Sequence, residues 1–134
     1  MKLDSNNHSV FKMYFHLVLV TKYRRKVIND EILEFFKERF ITLGEKYNIH
    51  LEEMNHDSDH LHILFRGEPK SNISKFINGY KSATSRKVKE LYPYVLEKLW
   101  KSQFWSRSFC LMTTGGAPIE TIKAYIESQG DNHD

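Results

Sequence analysis

From Phe11 to Val20 the chain is apolar on both parities of an alternating pattern, with Phe11, Met13, Phe15, Leu17 and Leu19 on one and Tyr14, His16, Val18 and Val20 on the other. Side chains of a strand point alternately to its two faces, so such a run, rich in β-formers, predicts a central strand covered on both sides. The rest of the chain has to build a sheet around it. Asn29 can cap a helix in which Ile32, Phe36, Phe40, Leu43 and Tyr47 recur at helical spacing between Glu34, Lys37, Glu38 and Glu45, giving one face that docks on the sheet. Ile49 to Asn55 and His60 to Arg66 read as two strands of a hairpin joined by the turn-forming cluster His56-Asp57-Ser58-Asp59.

After Gly67 and Pro69, Ser71 opens a second helix lined by Ile73, Phe76, Ile77, Tyr80, Thr84, Val88 and Leu91, with its end signalled at Tyr92-Pro93. Trp105 to Met112 predicts a fourth strand. Thr113-Thr114-Gly115-Gly116 breaks it before Pro118 starts a last helix. The order βαββαβ plus one helix predicts an α+β, ferredoxin-like domain: an antiparallel sheet with helices on one face and the other face left for a ligand or partner. At 134 residues the expectation is one domain over the whole chain, with residues 1–9 a flexible polar extension.

The net charge of +3 neither requires nor excludes a phosphate-bearing partner, so the placement of charge matters more than its sum. Cys110 is the lone cysteine, which excludes an intramolecular disulfide and a four-thiolate zinc site within one subunit and fits a reducing cytoplasm. Apolar stretches fall well short of the roughly 20 residues a membrane span needs, and neither export nor membrane insertion is expected.

His60 and His62 sit at alternate positions of one strand, so both imidazoles can reach one ion while Leu61 and Ile63 turn into a core. Half-buried strand histidines with ordinary hydrogen bonds give the same pattern; Asp59 just before the pair, and His16 on a strand that can neighbour it, favour a site. Near the C-terminus Tyr125 and Gln129 lie one helical turn apart, pointing a phenol and an amide oxygen the same way. A phenol with a pKa of about 10 needs a nearby cation to attack a phosphodiester. Two imidazoles suit Mn²⁺ or Zn²⁺ better than Mg²⁺. Lys22, Tyr23, Arg24, Arg25 and Lys26 after the first strand, and Lys81, Arg86, Lys87 and Lys89 on the second helix, read either as solvated faces or as a phosphate-binding surface on which Tyr23 stacks a base. For Trp100, Phe104 and Trp105 core packing is the expectation.

Four segments, Tyr14-Phe15-His16-Leu17-Val18 leading to Thr21-Lys22-Tyr23-Arg24-Arg25, Asp59-His60-Leu61-His62-Ile63-Leu64, Phe104-Trp105-Ser106-Arg107-Ser108-Phe109 and Tyr125-Ile126-Glu127-Ser128-Gln129, resemble in order and spacing the one-tyrosine HUH transposases of TnpA type, which move small prokaryotic insertion sequences as single-stranded DNA. The resemblance spans nearly the whole chain. It implies that His60, His62 and Gln129 hold a divalent metal, Mg²⁺ or Mn²⁺, and that Tyr125 is the nucleophile forming a 5′-phosphotyrosine link and freeing a 3′-OH. It also implies recognition of DNA hairpins near the element's ends, and a homodimer with composite active sites, in which Gly115-Gly116 serves either as a hinge for the tyrosine helix or as a simple turn. The N-terminal extension and the short tail after Gln129 depart from that pattern. Two other readings remain open: a hairpin-binding protein that has lost catalysis, and a paired-histidine hydrolase in which water replaces Tyr125.

Overall fold

A computed structural model of the chain describes residues 3–5, 10–11, 13–113 and 119–131. Its centre is an antiparallel four-stranded sheet of β3 (Met13–Val20), β4 (His50–His56), β5 (His60–Gly67) and β6 (Cys110–Thr113), in the order β4-β5-β3-β6. The expected central strand is central, flanked by β5 and β6, and the spatial order is that of the ferredoxin-like split βαβ arrangement. Ahead of it, β1 (Asp4–Ser5) pairs with β2 (Val10–Phe11), which takes Phe11 into a separate ladder. The hinge assigned to Gly115-Gly116, the helix start assigned to Pro118 and much of the 1–9 extension lie outside the described residues.

Helix α1 (Asp30–Gly44) begins where Asn29 accepts a hydrogen bond from the Ile32 amide at 2.9 Å. It stops at Gly44, where a Cβ would stand 2.6 Å from the Ile49 carbonyl oxygen, so only glycine lets the chain turn back this closely into β4. Helix α2 (Ile73–Leu91) is capped by Asn72, which accepts from the Lys75 amide. Ser71, the expected opener, instead accepts from the Glu68 amide and donates to the Asn48 carbonyl.

Both helices cover the face of Phe15, Leu17, Leu19, Leu61, Ile63 and Phe65, and together they make the core. Phe40 is fully buried, with its ring 4.9 Å from Phe76, 5.2 Å from Tyr80 and 5.7 Å from Phe65. Buried Tyr80 donates its hydroxyl to the Phe36 carbonyl, and burial holds its phenol well above the ordinary value. Phe40→Ala is expected to cost about 3–5 kcal/mol by opening a cavity among these rings, read as a fall in the urea midpoint at unchanged slope. A loss below about 1 kcal/mol would mean the ring cluster is not the core's centre.

On the opposite sheet face Val18 and Val20 are also buried, so this face is covered as well. Helix α3 (Ile119–Asp131) packs here on β3 and on the turn at Lys22–Arg24, apart from the α1–α2 layer. Among the described residues no helix is long and apolar enough to cross a membrane.

The fourth strand is shorter than the expected Trp105 to Met112. Its register sets Val18 opposite Cys110 and Phe15 opposite Thr113, which continued would bring Arg107 opposite Thr21; the bridge to Thr21 is made by Trp105 instead. Two residues are thus looped out. The physical cause is the indole of Trp105, buried against Phe36 at 5.4 Å and Phe104 at 4.6 Å, with its Nε1–H donating to Thr84 at 3.0 Å. The strap this leaves, 106–108, becomes part of the site.

Candidate active site

Strand alternation sends Leu61 and Ile63 into the core and leaves His60 and His62 on the other face, where β5 lies opposite Val20 and Val18. His62 lies 5.6 Å from His16, ring to ring, and both line a small pocket of about 60 Å³ with Glu53, Asn55 and Leu64. Desolvation, and then the neighbouring His16 and His60, hold His62 below its ordinary pKa of 6.5, with Glu53 opposing, so its ring is predominantly neutral at pH 7. Its Nε2 is buried and has no hydrogen-bond partner among the described residues. A neutral imidazole with a free buried nitrogen is what a transition or borderline divalent ion takes as a ligand.

His60 is held differently. Its Nδ1 lies 2.9 Å from Asp59 Oδ1, while Asp59 Oδ2 accepts from Arg24 Nε at 2.9 Å. Burial alone would raise the Asp59 pKa, but hydrogen bonds from His60 and Arg24, with the charge of Arg24, outweigh it and hold the carboxyl below its ordinary 3.8. The unfolded chain therefore takes up a proton near 3.8 that the folded carboxyl still refuses, so this stabilisation is complete above that value and is lost as pH falls through the lower folded value. Urea unfolding at a series of pH values is expected to show stability falling more steeply below pH 3.8 in the wild type than in Asp59→Asn. Parallel profiles would contradict this.

The turn that delivers Arg24 is strained: Tyr23 and Arg24 have φ of 55° and 53°, a left-handed conformation costing non-glycine residues roughly 1–3 kcal/mol each. Two links tie it to the hairpin, one from the backbone and one from the side chain, the Thr21 amide and hydroxyl both donating to the Asp59 carbonyl.

On α3, Tyr125 and Gln129 do point the same way. The Tyr125 hydroxyl is 2.9 Å from Ser108 Oγ, and Gln129, 3% exposed, accepts at Oε1 from the hydroxyls of Ser106 and Ser108. The strap 106–108 thus gathers both helix side chains. Ser106 and Ser108 had no place in the sequence reading beyond the quoted segment, because the register shift that brings buried Ser106 and exposed Ser108 against α3 depends on the distant Thr84. Among the described residues no three His, Cys, Asp or Glu side chains converge as a metal-binding group, so an ion held by His60 and His62 needs a donor of another type. An amide oxygen such as that of Gln129 is one.

The basic residues divide. Arg25 and Arg86 are exposed. Lys22 is buried, its ammonium 5.5 Å from the Tyr23 ring centre and 6.0 Å from that of Trp100, which removes it from the surface a strand of DNA would touch. Tyr23 meets Trp100 edge-on at 5.1 Å. Lys81 donates to the carbonyls of Arg107 and Ser108, bracing the strap.

A family model described as "Transposase IS200 like" matches residues 9–129. The chain belongs to the IS200-like transposase family. It is 30% identical over 131 residues to the ISDra2 transposase TnpA of Deinococcus radiodurans, covering 98% of this chain and 94% of that one. It is 27% identical to the transposase for insertion sequence element IS200 of Salmonella typhimurium, over 91% of this chain and 80% of the relative. Among solved structures, a candidate transposase from Deinococcus radiodurans superposes with a TM-score of 0.84 at 26% identity, covering 94% of this chain and 97% of the other. A REP-associated tyrosine transposase bound to a REP hairpin shares the fold, with a TM-score of 0.59 at 10% identity over 92% of this chain and 68% of that one. This family member is therefore a DNA transposase.

Proposed function

We propose that this transposase nicks and rejoins single-stranded DNA through a 5′-phosphotyrosine at Tyr125, with His60, His62 and Gln129 holding a divalent ion, Mg²⁺ or Mn²⁺. The observation that carries the reading is the buried Nε2 of His62, without a hydrogen-bond partner among the described residues, beside a second histidine whose Nδ1 is taken by a carboxylate. Such an ion supplies positive charge to the scissile phosphate and to the developing phenolate. The phenol oxygen of Tyr125 attacks phosphorus; its proton is lost, the P–O3′ bond breaks, and O3′ leaves to become a 3′-OH. One ester replaces another, so reversal by a different 3′-OH reseals the strand without an energy source. The hydroxyl of Ser108, within hydrogen-bond distance of Tyr125, orients the phenol.

Gln129 needs its Oε1 back from Ser106 and Ser108 to serve as a ligand, so either its side chain turns or α3 shifts for catalysis. Delivery of α3 to the histidines of a second subunit is the form of that shift implied by a homodimer.

Exposed Arg25 and Arg86, with Tyr23, are the proposed contacts of the DNA, whereas the Arg24 guanidinium is taken by Asp59. A cleft of about 350 Å³ between α2 and residues 102–107, lined by Lys81, Lys89 and Arg107 together with Ser82 and Ser85, gives a phosphate backbone cations and hydroxyls in one path. The hairpin held by the structurally similar REP-associated enzyme supports a hairpin as this protein's substrate.

The test is incubation with single-stranded oligonucleotides carrying the hairpins that flank the gene, in Mg²⁺ or Mn²⁺. A covalent protein–DNA band on a denaturing gel, absent in chelator, is expected. Hairpin binding with no covalent band under any metal selects the non-catalytic reading, and strand cleavage without a band selects hydrolysis by water.

A further inference from the structure

The first-strand turn and the histidine strand are separate in sequence and meet at one carboxylate. Asp59 receives Arg24 on one oxygen and His60 on the other, and its backbone carbonyl is gripped by Thr21. Its side chain is only 6% exposed, so water does not compete for these bonds. We propose that Arg24 acts as a positioning residue: through Asp59 it holds the His60 ring in the Nδ1–H tautomer, with the Nε2 lone pair turned to the metal.

The chemistry is restrictive. An ionised carboxylate can only accept from the ring, so while Arg24 pins Oδ2 and leaves Oδ1 on the imidazole the proton of neutral His60 sits on Nδ1 and the lone pair on Nε2. Were the proton on Nε2, the ligand atom would be blocked and two lone pairs would face each other across 2.9 Å. His62 needs no such device, since its buried Nε2 has no hydrogen-bond partner among the described residues. The strained φ of 55° and 53° at Tyr23 and Arg24 fits a turn kept for where it sends a side chain. Arg24 thereby has a role distinct from that of its exposed neighbour Arg25, although the two adjoin in one basic run.

This inference rests on the reading of His60 as a metal ligand, and two measurements separate them. Histidine ring ¹⁵N shifts of metal-free protein report the tautomer, and Mn²⁺ titration followed by electron paramagnetic resonance reports affinity. The wild type is expected to show His60 as Nδ1–H. Arg24→Gln, by freeing the Asp59 carboxylate to turn from the ring, should shift the population towards Nε2–H and weaken Mn²⁺ about tenfold, and Asp59→Ala should weaken it about 10–100-fold. Arg24→Gly, which suits the positive φ, should behave as Arg24→Gln does, separating loss of the guanidinium from backbone strain. A wild-type tautomer and an unchanged affinity in both Arg24 variants would overturn the positioning role alone. A wild type that binds no Mn²⁺, with the tautomer still following Arg24, would overturn the metal reading and the positioning role with it.

Discussion

Tyr125→Phe is expected to bind a hairpin oligonucleotide as tightly as the wild type and to form no covalent adduct with it, with cleavage reduced on the order of 10⁴-fold or more. The substitution removes one oxygen and nothing else. That oxygen lies 2.9 Å from Ser108 Oγ at an exposed position, and the ring is only half-buried, so folding should change little. A hydroxyl lost from an exposed hydrogen bond costs about 1 kcal/mol or less, far below the effect expected on cleavage. Gel-based cleavage alongside binding by fluorescence anisotropy reads both quantities. Adduct formation by the Phe variant would remove Tyr125 as the nucleophile.

His62→Ala should weaken Mn²⁺ binding by at least about 100-fold and stop cleavage at any practical metal concentration, while hairpin binding survives. Its Nε2 makes no hydrogen bond among the described residues, so its removal breaks none that is visible and opens space beside His16 in a pocket of about 60 Å³. Because burial and the neighbouring histidines hold this ring below 6.5, the wild-type affinity should be nearly constant above that pH and fall once protons compete for the nitrogen. Isothermal titration calorimetry between pH 5 and pH 8 measures the affinity and its pH dependence together. Full cleavage by His62→Ala in chelator would refute the metal-assisted mechanism.

Much of the fold was legible because its signals are local. The two parities of Phe15 to Val20, the spacing of Ile32, Phe36 and Phe40, and the turn cluster before His60 each act over a few residues, and the structure places them as periodicity requires. Two capped helices began within a residue or two of where their asparagine or serine signals stood. The fourth strand was overextended because what ends it is tertiary: the hydroxyl of Thr84 and the ring of Phe36 hold the Trp105 indole and put its bridge to Thr21 two residues out of register, and no local pattern announces that.

The candidate site was legible by the same rule. His60 and His62 share a face through strand alternation, and Tyr125 and Gln129 through one helical turn, so each pair could be read from spacing. Their supports could not. The Arg24 to Asp59 bond spans 35 positions and the Ser106 to Gln129 bond 23, and both depend on how turns cross in space. Charge alone was equally silent on which lysines face solvent: Lys22 is buried beside two aromatic rings and Lys81 braces a strap, whereas Arg25 and Arg86 are exposed.

The proposed reaction makes one covalent bond, between the Tyr125 oxygen and a 5′ phosphate. Its most direct test is mass spectrometry of the trapped adduct after protease and nuclease digestion, made with the unaltered protein and a hairpin oligonucleotide in Mn²⁺. The predicted result is a peptide carrying a nucleotide phosphate on the oxygen of Tyr125. Attachment to any other residue, or complete strand cleavage with no modified peptide, would contradict it.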